Sequence, residues 1–356
     1  MTGFRLIEES RAQTSAEGLA GDEALALGVS EGTSPPTLRL YHYVPCAIVG
    51  RYQNLTDAVD LEACRRRGHG WNRRHTGGGT VLMGPEQVAV ALVLPEDEGA
   101  GIGTIREQFL FFSEMLADAL TEFGITAGLE GKNDLQVAGR KIAGLAISQD
   151  TEGVRFFHCS LLLDFDVALM VEVLNLPTRD LDDRGQSCFS QRMTTVHAHS
   201  PGVTFDEMKR ATVRSLERRL GPVRREGWLP HEIERAERLR RERYESEAWI
   251  HSSRVMRRWS GTADCKTPGG TLRVYADRVG GSLDAALITG DYFCRSAEIA
   301  MLEARLRGVP ARVDAIAAVI EEHRAETIYR VESHRLASLI AEAAQATGPR
   351  RPLAMR

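Results

Sequence analysis

The sequence predicts an α+β protein of two domains, a larger one at residues 1–245 and a smaller one at residues 246–356. Residues 88–94 (VAVALVL) are apolar throughout and rich in valine, which is typical of a buried strand. Residues 105–123 place phenylalanine and leucine at spacings of three and four, which predicts an amphipathic helix. Charges of alternating sign at residues 229–247 favour a solvated helix, which we expect to bridge the two domains.

Strand-like and helix-like segments follow one another through the first domain. The strands are predicted from alternating or short apolar runs, and the helices from apolar periodicity or from alanine and leucine content. The predicted strands are residues 4–7, 38–43, 46–50, 88–94, 135–137, 141–146 and 158–165, and the predicted helices are residues 16–27, 105–123 and 204–220. In the second domain, strands at 271–275 and 282–289 precede a helix at 296–306 and further helical segments. That combination is sufficient for a small α+β domain.

The composition excludes several classes of function. The net charge of −4 provides no general attraction to nucleic acid or to anionic lipid. The six cysteines lie far apart without a CxxC pair, so neither a zinc knuckle nor a disulfide framework is indicated. No stretch approaches the ~18 consecutive apolar residues of a membrane span, and the N-terminus lacks the apolar run of a signal peptide. We therefore expect a soluble cytoplasmic protein with neither nucleic acid nor membrane as a partner.

Residues 73–81 (RRHTGGGTV) contain the sharpest local feature, three consecutive glycines after an arginine pair. Glycine is most useful where backbone must pass very close to another group, and its bare N–H groups can face an anion. The two arginines add donors that match phosphate or carboxylate oxygens. The alternative is a hairpin turn with a solvated arginine pair. Because the arginines and a short apolar run flank the glycines, we favour a ligand-binding function.

A second candidate site lies in residues 132–144 (KNDLQVAGRKIAG). Lys141 adjoins a short apolar strand, with Gly139 and Gly144 on either side. A buried lysine requires an anion, and the glycines would let a ligand approach the backbone. A lysine that points to solvent from an edge strand is the alternative, and both interpretations stay open at this point.

Other reactive side chains have simpler interpretations. His158 is expected to be a satisfied core histidine, and Cys159 and Cys188 small buried residues. His197 and His199 could suggest a metal pair, but we interpret them as surface histidines because no third ligand is evident nearby in the sequence.

Together these segments resemble the lipoate–protein ligase A family, within the wider biotin/lipoate ligase and octanoyltransferase superfamily. Six segments resemble the motifs of that family in its order, namely residues 18–25, 47–54, 73–81, 133–144, 158–162 and 192–196. Residues 269–274, 288–293 and 299–308 resemble its accessory domain. The resemblance implies a class II biotin/lipoate ligase-like catalytic domain, in which helices flank a mixed sheet, followed by a small α+β accessory domain.

The resemblance implies that the chain activates lipoate or octanoate with ATP to an acyl-adenylate. The acyl group would then pass to a lysine of a lipoyl carrier domain, on a lipoate-accepting protein such as a 2-oxoacid dehydrogenase subunit or the glycine cleavage H protein. Magnesium and basic groups would stabilise the negative charge that gathers during adenylation. We therefore predict an ATP-dependent lipoate–protein ligase.

The same resemblance assigns roles to residues of the two candidate segments. Lys141 is the predicted catalytic residue, an electrostatic clamp between the acyl carboxylate and the α-phosphate. The predicted ATP-binding residues are Arg74, Gly77, Gly78, Gly79, Thr80, Val81, Leu82 and Lys141, and the predicted lipoate-binding residues are Lys141, Gly78, Gly144 and His158. Asp134 and Asn133 would bind Mg²⁺. Residues 88–94 and 161–163 are expected to line the acyl tunnel.

Two departures from the family motifs bear on substrate choice and mechanism. Residues 79–84 (GTVLMG) lack the His-Asp pair of the family, and residues 157–162 read FHCSLL where the family has HHGTLL. Some octanoyltransferases carry a nucleophilic cysteine in the segment that here contains Cys188. The alternative mechanism is therefore an octanoyl or lipoyl transferase that uses Cys188 as a thioester nucleophile without ATP. A third possibility is a degenerate ligase fold that only binds a lipoylated partner.

Overall fold

The structure is a computed structural model that describes residues 4–96, 103–148, 150–175, 191–252, 258–323 and 327–346. These residues form an N-terminal domain around a mixed sheet and a C-terminal domain of helices and a sheet, which confirms the predicted fold class. The boundary between residues 245 and 246 stays a prediction. No helix within the described ranges is both long enough and apolar enough to cross a membrane.

An eight-stranded sheet forms the centre of the N-terminal domain within the described residues. Its strands are β1 (Phe4–Glu8), β2 (Thr37–Tyr41), β6 (Gln87–Pro95), β7 (Gly128–Glu130), β8 (Asp134–Val137), β9 (Arg140–Ser148), β10 (Val154–Leu162) and β11 (Val223–Arg225). Their order across the sheet is β11-β1-β2-β6-β10-β9-β8-β7. β1 pairs in parallel with β2 and β11, and the other neighbours pair antiparallel, so the sheet is mixed.

Helices cover both faces of this sheet. The helices described up to residue 252 are α1 (Ser15–Ser30), α2 (Leu55–Ala58), α3 (Leu61–Arg67), α4 (Ile105–Thr121), α5 (Val167–Val173), α6 (Val196–His199), α7 (Phe205–Leu220), α8 (Pro230–Leu239) and α9 (Glu247–His251). The three long helices α1, α4 and α7 each begin with a capping box. In each, a threonine and a glutamate three residues later satisfy two free backbone N–H groups, which fixes where the helix starts.

The central strand β6 is apolar throughout because both of its faces are buried. Side chains of a strand alternate between the two faces of the sheet. The even-numbered residues from Val88 to Leu94 belong to the core cluster that contains α4 and α7. The odd-numbered residues Ala89, Ala91 and Val93 belong to a second cluster with α1. The alternation between the two clusters explains why a strand can lack polar residues here.

A smaller sheet carries the glycine-rich segment. β3 (Cys46–Val49) lies between β4 (Gly70–Arg73), to which it is parallel, and β5 (Val81–Met83), to which it is antiparallel. Residues 74–80 connect β4 to β5, and we call them the glycine loop. Because β4 and β5 both pair with β3 and not with each other, the glycine loop is not a hairpin turn.

The C-terminal domain packs helices against a three-stranded antiparallel sheet. Its described elements are β12 (Gly261–Thr267), β13 (Gly270–Val279), β14 (Ser282–Gly290), α10 (Ser296–Arg305), α11 (Val313–His323) and α12 (Ser333–Gln345). β12 was not predicted from the sequence. Its buried residues Ala263 and Cys265 are small and alternate with exposed Asp264 and Lys266, so the apolar signal is weak.

The charged segment at residues 229–247 is not the solvated bridge that the sequence suggested. It forms α8 and then a π-helical turn at Arg240–Tyr244, and both pack against α1. Glu232 is fully buried and accepts two hydrogen bonds from the buried guanidinium of Arg5, at 2.6 and 2.9 Å. Tyr244 is also buried, and its hydroxyl donates to Glu23 at 2.6 Å. Opposite charges within the chain therefore fix this segment onto the catalytic domain.

Replacing Glu232 by glutamine should lower the free energy of unfolding by about 3–5 kcal/mol, because Arg5 would keep a buried charge without its partner. Urea unfolding followed by circular dichroism measures this change. The matched control is Asp314→Asn, since Asp314 and its partner Arg312 are 72% and 70% exposed. That substitution should cost less than about 1 kcal/mol. Equal losses in the two variants would contradict the role given to the buried pair.

Candidate active site

The hairpin of β8 and β9 brings Lys141 and Asp134 together. Ala138 and Gly139 form its turn with positive φ angles of 48° and 76°, a conformation that glycine adopts without strain. Lys141 Nζ lies 2.8 Å from Asp134 Oδ1, and each side chain is about one-third exposed, at 33% and 34%. The sequence left open a buried lysine paired with an anion and a lysine that points to solvent; Lys141 is partly exposed and paired with a carboxylate of the protein itself.

Lys141 lies at the wall of a cavity of about 330 Å³ that both domains line. This volume is near the lower end of the ~300–1,000 Å³ that small-molecule sites occupy. The predicted site residues that line it are Arg74, Gly79, Thr80, Val81, Asn133, Asp134, Lys141, Gly144 and His158. The C-terminal domain contributes Lys266, Thr267, Pro268, Gly270, Thr271 and Asp291. The structure thus brings the two candidate segments of the sequence to one cavity.

A second cavity, of about 490 Å³, lies on the other side of the Lys141–Asp134 pair. Its wall includes Leu82, which the first cavity lacks, and an apolar group formed by Leu162, Phe165, Met170, Leu174 and Met193. The predicted tunnel residues contribute little to either cavity. Of residues 88–94 only Ala89 reaches the first cavity, and of residues 161–163 only Leu162 reaches the second, because the others face the core.

The arginine pair before the glycines holds the backbone of this region. Arg74 is buried and donates to the carbonyls of Gly77 and Gly79 at 2.8 and 2.7 Å, and to the hydroxyl of Thr76 at 3.1 Å. Arg73 donates to the carbonyls of five other residues, Gly50, Arg51, Gln53, Trp249 and Ile250. Burial lowers the pKa of Arg74 to about 10. Arg74 thus holds the glycine loop, and Arg73 holds the neighbouring segments. ATP binding by Arg74 stays a prediction.

Gly77 and Gly78 face the C-terminal domain and not the cavity. The Gly78 amide donates to the carbonyl oxygen of Tyr292 at 2.9 Å. A Cβ atom on Gly77 would overlap that same carbonyl, and one on Gly78 would lie 2.8 Å from the ring of Phe293. The glycines do permit a very close approach, as predicted, but the approaching group is protein backbone. The assignment of Gly77 and Gly78 as ATP ligands, and of Gly78 as a lipoate ligand, stays a prediction.

His158 is a partly buried histidine that lines the cavity and has a hydrogen-bond partner. Its Nε2 lies 2.8 Å from the hydroxyl of Thr76. Burial, together with the nearby positive charge of Arg74, holds the pKa of His158 well below its usual value. The imidazole is therefore neutral around pH 7. It can form one hydrogen bond with a bound acyl group.

The two predicted magnesium ligands are engaged within the protein. Asp134 pairs with Lys141, and the side-chain amide of Asn133 donates to the carbonyl of Leu145 at 2.5 Å. Among the residues that the structure describes, no three His, Cys, Asp or Glu side chains gather in a way that could hold a metal ion. Magnesium binding at Asp134 and Asn133 stays a prediction.

Sequence reasoning missed the contribution of the C-terminal domain and of Lys132 to the cavity. The side chain of Lys132 is only 13% exposed, and its ammonium donates to the backbone carbonyl of Asp291. The position of Lys132 directly before Asn133-Asp134 was a signal for its involvement. No sequence signal related it to Asp291, which lies 159 residues away.

Replacing Gly77 by alanine should loosen the contact between the domains, because the added methyl group would overlap the carbonyl of Tyr292. Overpacking of this kind costs about 1–3 kcal/mol, so hydrogen exchange of the Gly78 amide should accelerate roughly tenfold or more. Gly79→Ala is the matched control, since its Cβ would meet Asp291 at 3.8 Å, an ordinary contact. Unchanged exchange at Gly78 in Gly77→Ala would refute this account of the glycine loop.

The sequence matches two domain families. The lipoyl protein ligase A/B catalytic domain matches residues 14–217, and the bacterial lipoate protein ligase C-terminus matches residues 260–340.

Two relatives are similar over nearly their whole length. The octanoyltransferase LipM of Symbiobacterium thermophilum is 31% identical over 275 residues, which cover 70% of this chain and 98% of the relative. The octanoyltransferase LipM of Geobacillus kaustophilus is 33% identical over 258 residues, which cover 65% of this chain and 92% of the relative.

Two solved structures share the fold. The bipartite lipoate protein ligase of Thermoplasma acidophilum superimposes with a TM-score of 0.63 at 24% identity, and the match covers 70% of this chain and 97% of that chain. LipL1 of P. falciparum in complex with lipoate superimposes with a TM-score of 0.69 at 16% identity, and the match covers 90% of this chain and 94% of that chain. At these identities the likeness shows the fold alone.

The relatives contradict the prediction of an ATP-dependent lipoate–protein ligase, because the proteins that match this chain at 31% and 33% identity are octanoyltransferases. The resemblance on which that prediction was based is itself confirmed by both domain matches. Since the catalytic-domain match alone extends over more than half of the sequence, the chain belongs to the lipoyl protein ligase A/B family.

Proposed function

We propose that this protein is an octanoyltransferase, which moves an octanoyl group from the thioester of a carrier protein to a lysine of a lipoyl carrier domain. The observation that carries the proposal is the match to the Symbiobacterium octanoyltransferase along 98% of that relative. The lipoate protein ligase of Thermoplasma is similar in fold, but one fold can serve both reactions and does not by itself indicate which one occurs.

A transferase of this kind needs no ATP, because a thioester is already an activated acyl group. A cysteine thiolate would attack the carbonyl carbon of the donor, and the carbon–sulfur bond to the donor would break as its thiol leaves. The amine of the acceptor lysine would then attack the new thioester on the enzyme. That step forms the amide, releases the enzyme thiol and leaves a proton to the surroundings.

Lys141 suits the stabilisation of the charge that develops in both steps. Each step passes through a tetrahedral intermediate with a negatively charged oxygen, and a fixed donor near that oxygen lowers the barrier. The ammonium of Lys141 is held at 2.8 Å by a single carboxylate, that of Asp134, at the boundary of the two cavities. Among the described residues Asp134 is the partner found for this ammonium, so its other N–H groups can donate to an acyl oxygen.

Cys188 is the best candidate for the nucleophile, although it lies outside the described residues. Of the described cysteines, Cys159 lines the first cavity, but its side chain is buried and burial raises the pKa of its thiol. A reactive cysteine requires an accessible thiolate. Met193, five residues after Cys188 in the sequence, forms a β-bridge with Lys141. Cys188 is therefore close in the sequence to a residue that contacts Lys141.

Cys188→Ser should abolish octanoyl transfer from octanoyl-carrier protein to a lipoyl domain without ATP, because a hydroxyl does not ionise near pH 7 as a thiol can. Cys159→Ser is the matched control and should keep most of the activity. Transfer is measured by mass spectrometry of the acceptor domain. Full activity of Cys188→Ser would eliminate the thioester mechanism, and no transfer by the unmodified protein would favour a binding module.

Lys141→Met should lower the rate of the same reaction by roughly 10²–10³, the usual cost of removing one donor to a developing oxyanion. Methionine keeps most of the length of the side chain without its charge, so the unfolding midpoint should change little. Arg140→Gln, which alters the neighbouring residue of the hairpin, should stay within about threefold of the unmodified rate, since Arg140 lines neither cavity. Comparable losses in the two variants would refute the role of Lys141.

A further inference from the structure

The charged side chains that line the first cavity carry a net positive charge. The positively charged residues of its wall are Arg74, Lys132, Lys141 and Lys266, and the negatively charged ones are Asp134 and Asp291. Four positive charges against two negative ones leave a net charge of +2. A thioester and an octanoyl chain are both uncharged, so this excess has no partner in the reaction proposed above.

Two of the four cations are already committed to other groups. Arg74 donates to the backbone carbonyls of the glycine loop, and Lys141 pairs with Asp134 at 2.8 Å and has its proposed role at the acyl oxygen. The cations left to bind a further anion are therefore Lys132 and Lys266, one from each domain.

Lys132 is only weakly neutralised although its side chain is largely buried. Its ammonium donates to the backbone carbonyl of Asp291, and it lies 4.0 Å from the carboxylate of that residue. The same carboxylate also accepts the amide of Thr271. Burial lowers the pKa of Lys132, which is the effect expected when the opposing charge is distant or shared. An additional anion beside Lys132 would stabilise its charged form.

Lys266 lies near the end of β12, and the hairpin that follows lies close to Lys132. A Cβ atom built on Gly270 would lie 3.0 Å from Lys132 Nζ, so the space beside this glycine is occupied by that ammonium. The hydroxyl of Thr267 closes the hairpin by donating to the carbonyl of Gly270 at 2.8 Å. Lys266 is exposed and forms no ion pair within the part of the chain that the structure describes. Lys132 and Lys266 thus both line the cavity, and Lys266 belongs to the strand that leads into this hairpin.

We propose that Lys132 and Lys266 bind the phosphate of the pantetheine arm on which the acyl donor is carried. The inference rests on the proposed function, because it names the donor class of that same site. The phosphodiester that joins the arm to its carrier supplies one negative charge, which offsets part of the excess of the cavity wall, and lysine binds phosphate as a point charge without a fixed hydrogen-bond plane. The C-terminal domain would thereby contribute to donor recognition, through Lys266.

Binding of 4′-phosphopantetheine and of pantetheine, measured by calorimetry on the full chain, tests the phosphate contact without any turnover. The unmodified protein should bind the phosphorylated compound at least tenfold more tightly. Lys132→Met and Lys266→Met should each weaken that binding by about tenfold, as expected for a lost hydrogen bond to a charged group, and leave pantetheine binding unchanged. Lys209→Met is the matched control, because Lys209 is 12% exposed and pairs with Asp206 on α7 away from the cavity.

Equal affinity of the unmodified protein for the two compounds would overturn the inference, as would unchanged binding in both lysine variants. Lys266 is exposed, so Lys266→Met keeps the test decisive if Lys132→Met does not fold.

Octanoyl transfer from carrier protein, coenzyme A and unphosphorylated pantetheine then separates the two proposals. Equal use of all three donors would refute phosphate recognition and support the transferase. Transfer from none of them would refute the proposed function together with this inference. Preference for the carrier protein over coenzyme A would identify the source of the phosphate.

Discussion

The candidate active site depends on the backbone contact between the glycine loop and the end of β14. Gly78 donates to the carbonyl of Tyr292 at 2.9 Å, and Gly77 leaves no room for a side chain between the two domains. The ring of Tyr52 stacks on that of Tyr292, with centroids 4.7 Å apart and an angle of 7° between the planes. The loop and the C-terminal domain are therefore held together by a surface that tolerates almost no added volume.

The contact between the glycine loop and the end of β14 determines which residues of the C-terminal domain line the first cavity. With the end of β14 held against the glycine loop, Asp291 and the β12–β13 hairpin lie opposite Lys132 and Lys141. The octanoyltransferase of Symbiobacterium aligns along 98% of its length with 70% of this chain, so the remaining 30% of this chain has no counterpart in that alignment. Residues of the C-terminal domain complete the cavity that Lys141 lines.

The sequence was informative wherever a local pattern determines structure. Apolar residues at every second position predicted most strands, and apolar residues at spacings of three and four predicted most helices. The hairpin that carries Lys141 was located from its two strands and the glycine between them. Contacts distant in the sequence were not predictable. The acceptors of Arg73 and Arg74 are backbone carbonyls, which have no residue signature, and the partner of Arg5 lies 227 residues away. The triple glycine was correctly interpreted as a point of close approach, but its partner was the protein itself.

The choice between ligase and transferase could not come from the fold, because both reactions require a cavity for the same acyl chain and a cation at its carbonyl. The most direct test is mass spectrometry of the intact protein after mixing with octanoyl-carrier protein in the absence of ATP. We expect one octanoyl group on the chain, on the peptide that contains Cys188, and its loss when a lipoyl domain is added. Absence of this adduct, with acylation of the lipoyl domain only from free octanoate and ATP, would contradict the transferase assignment.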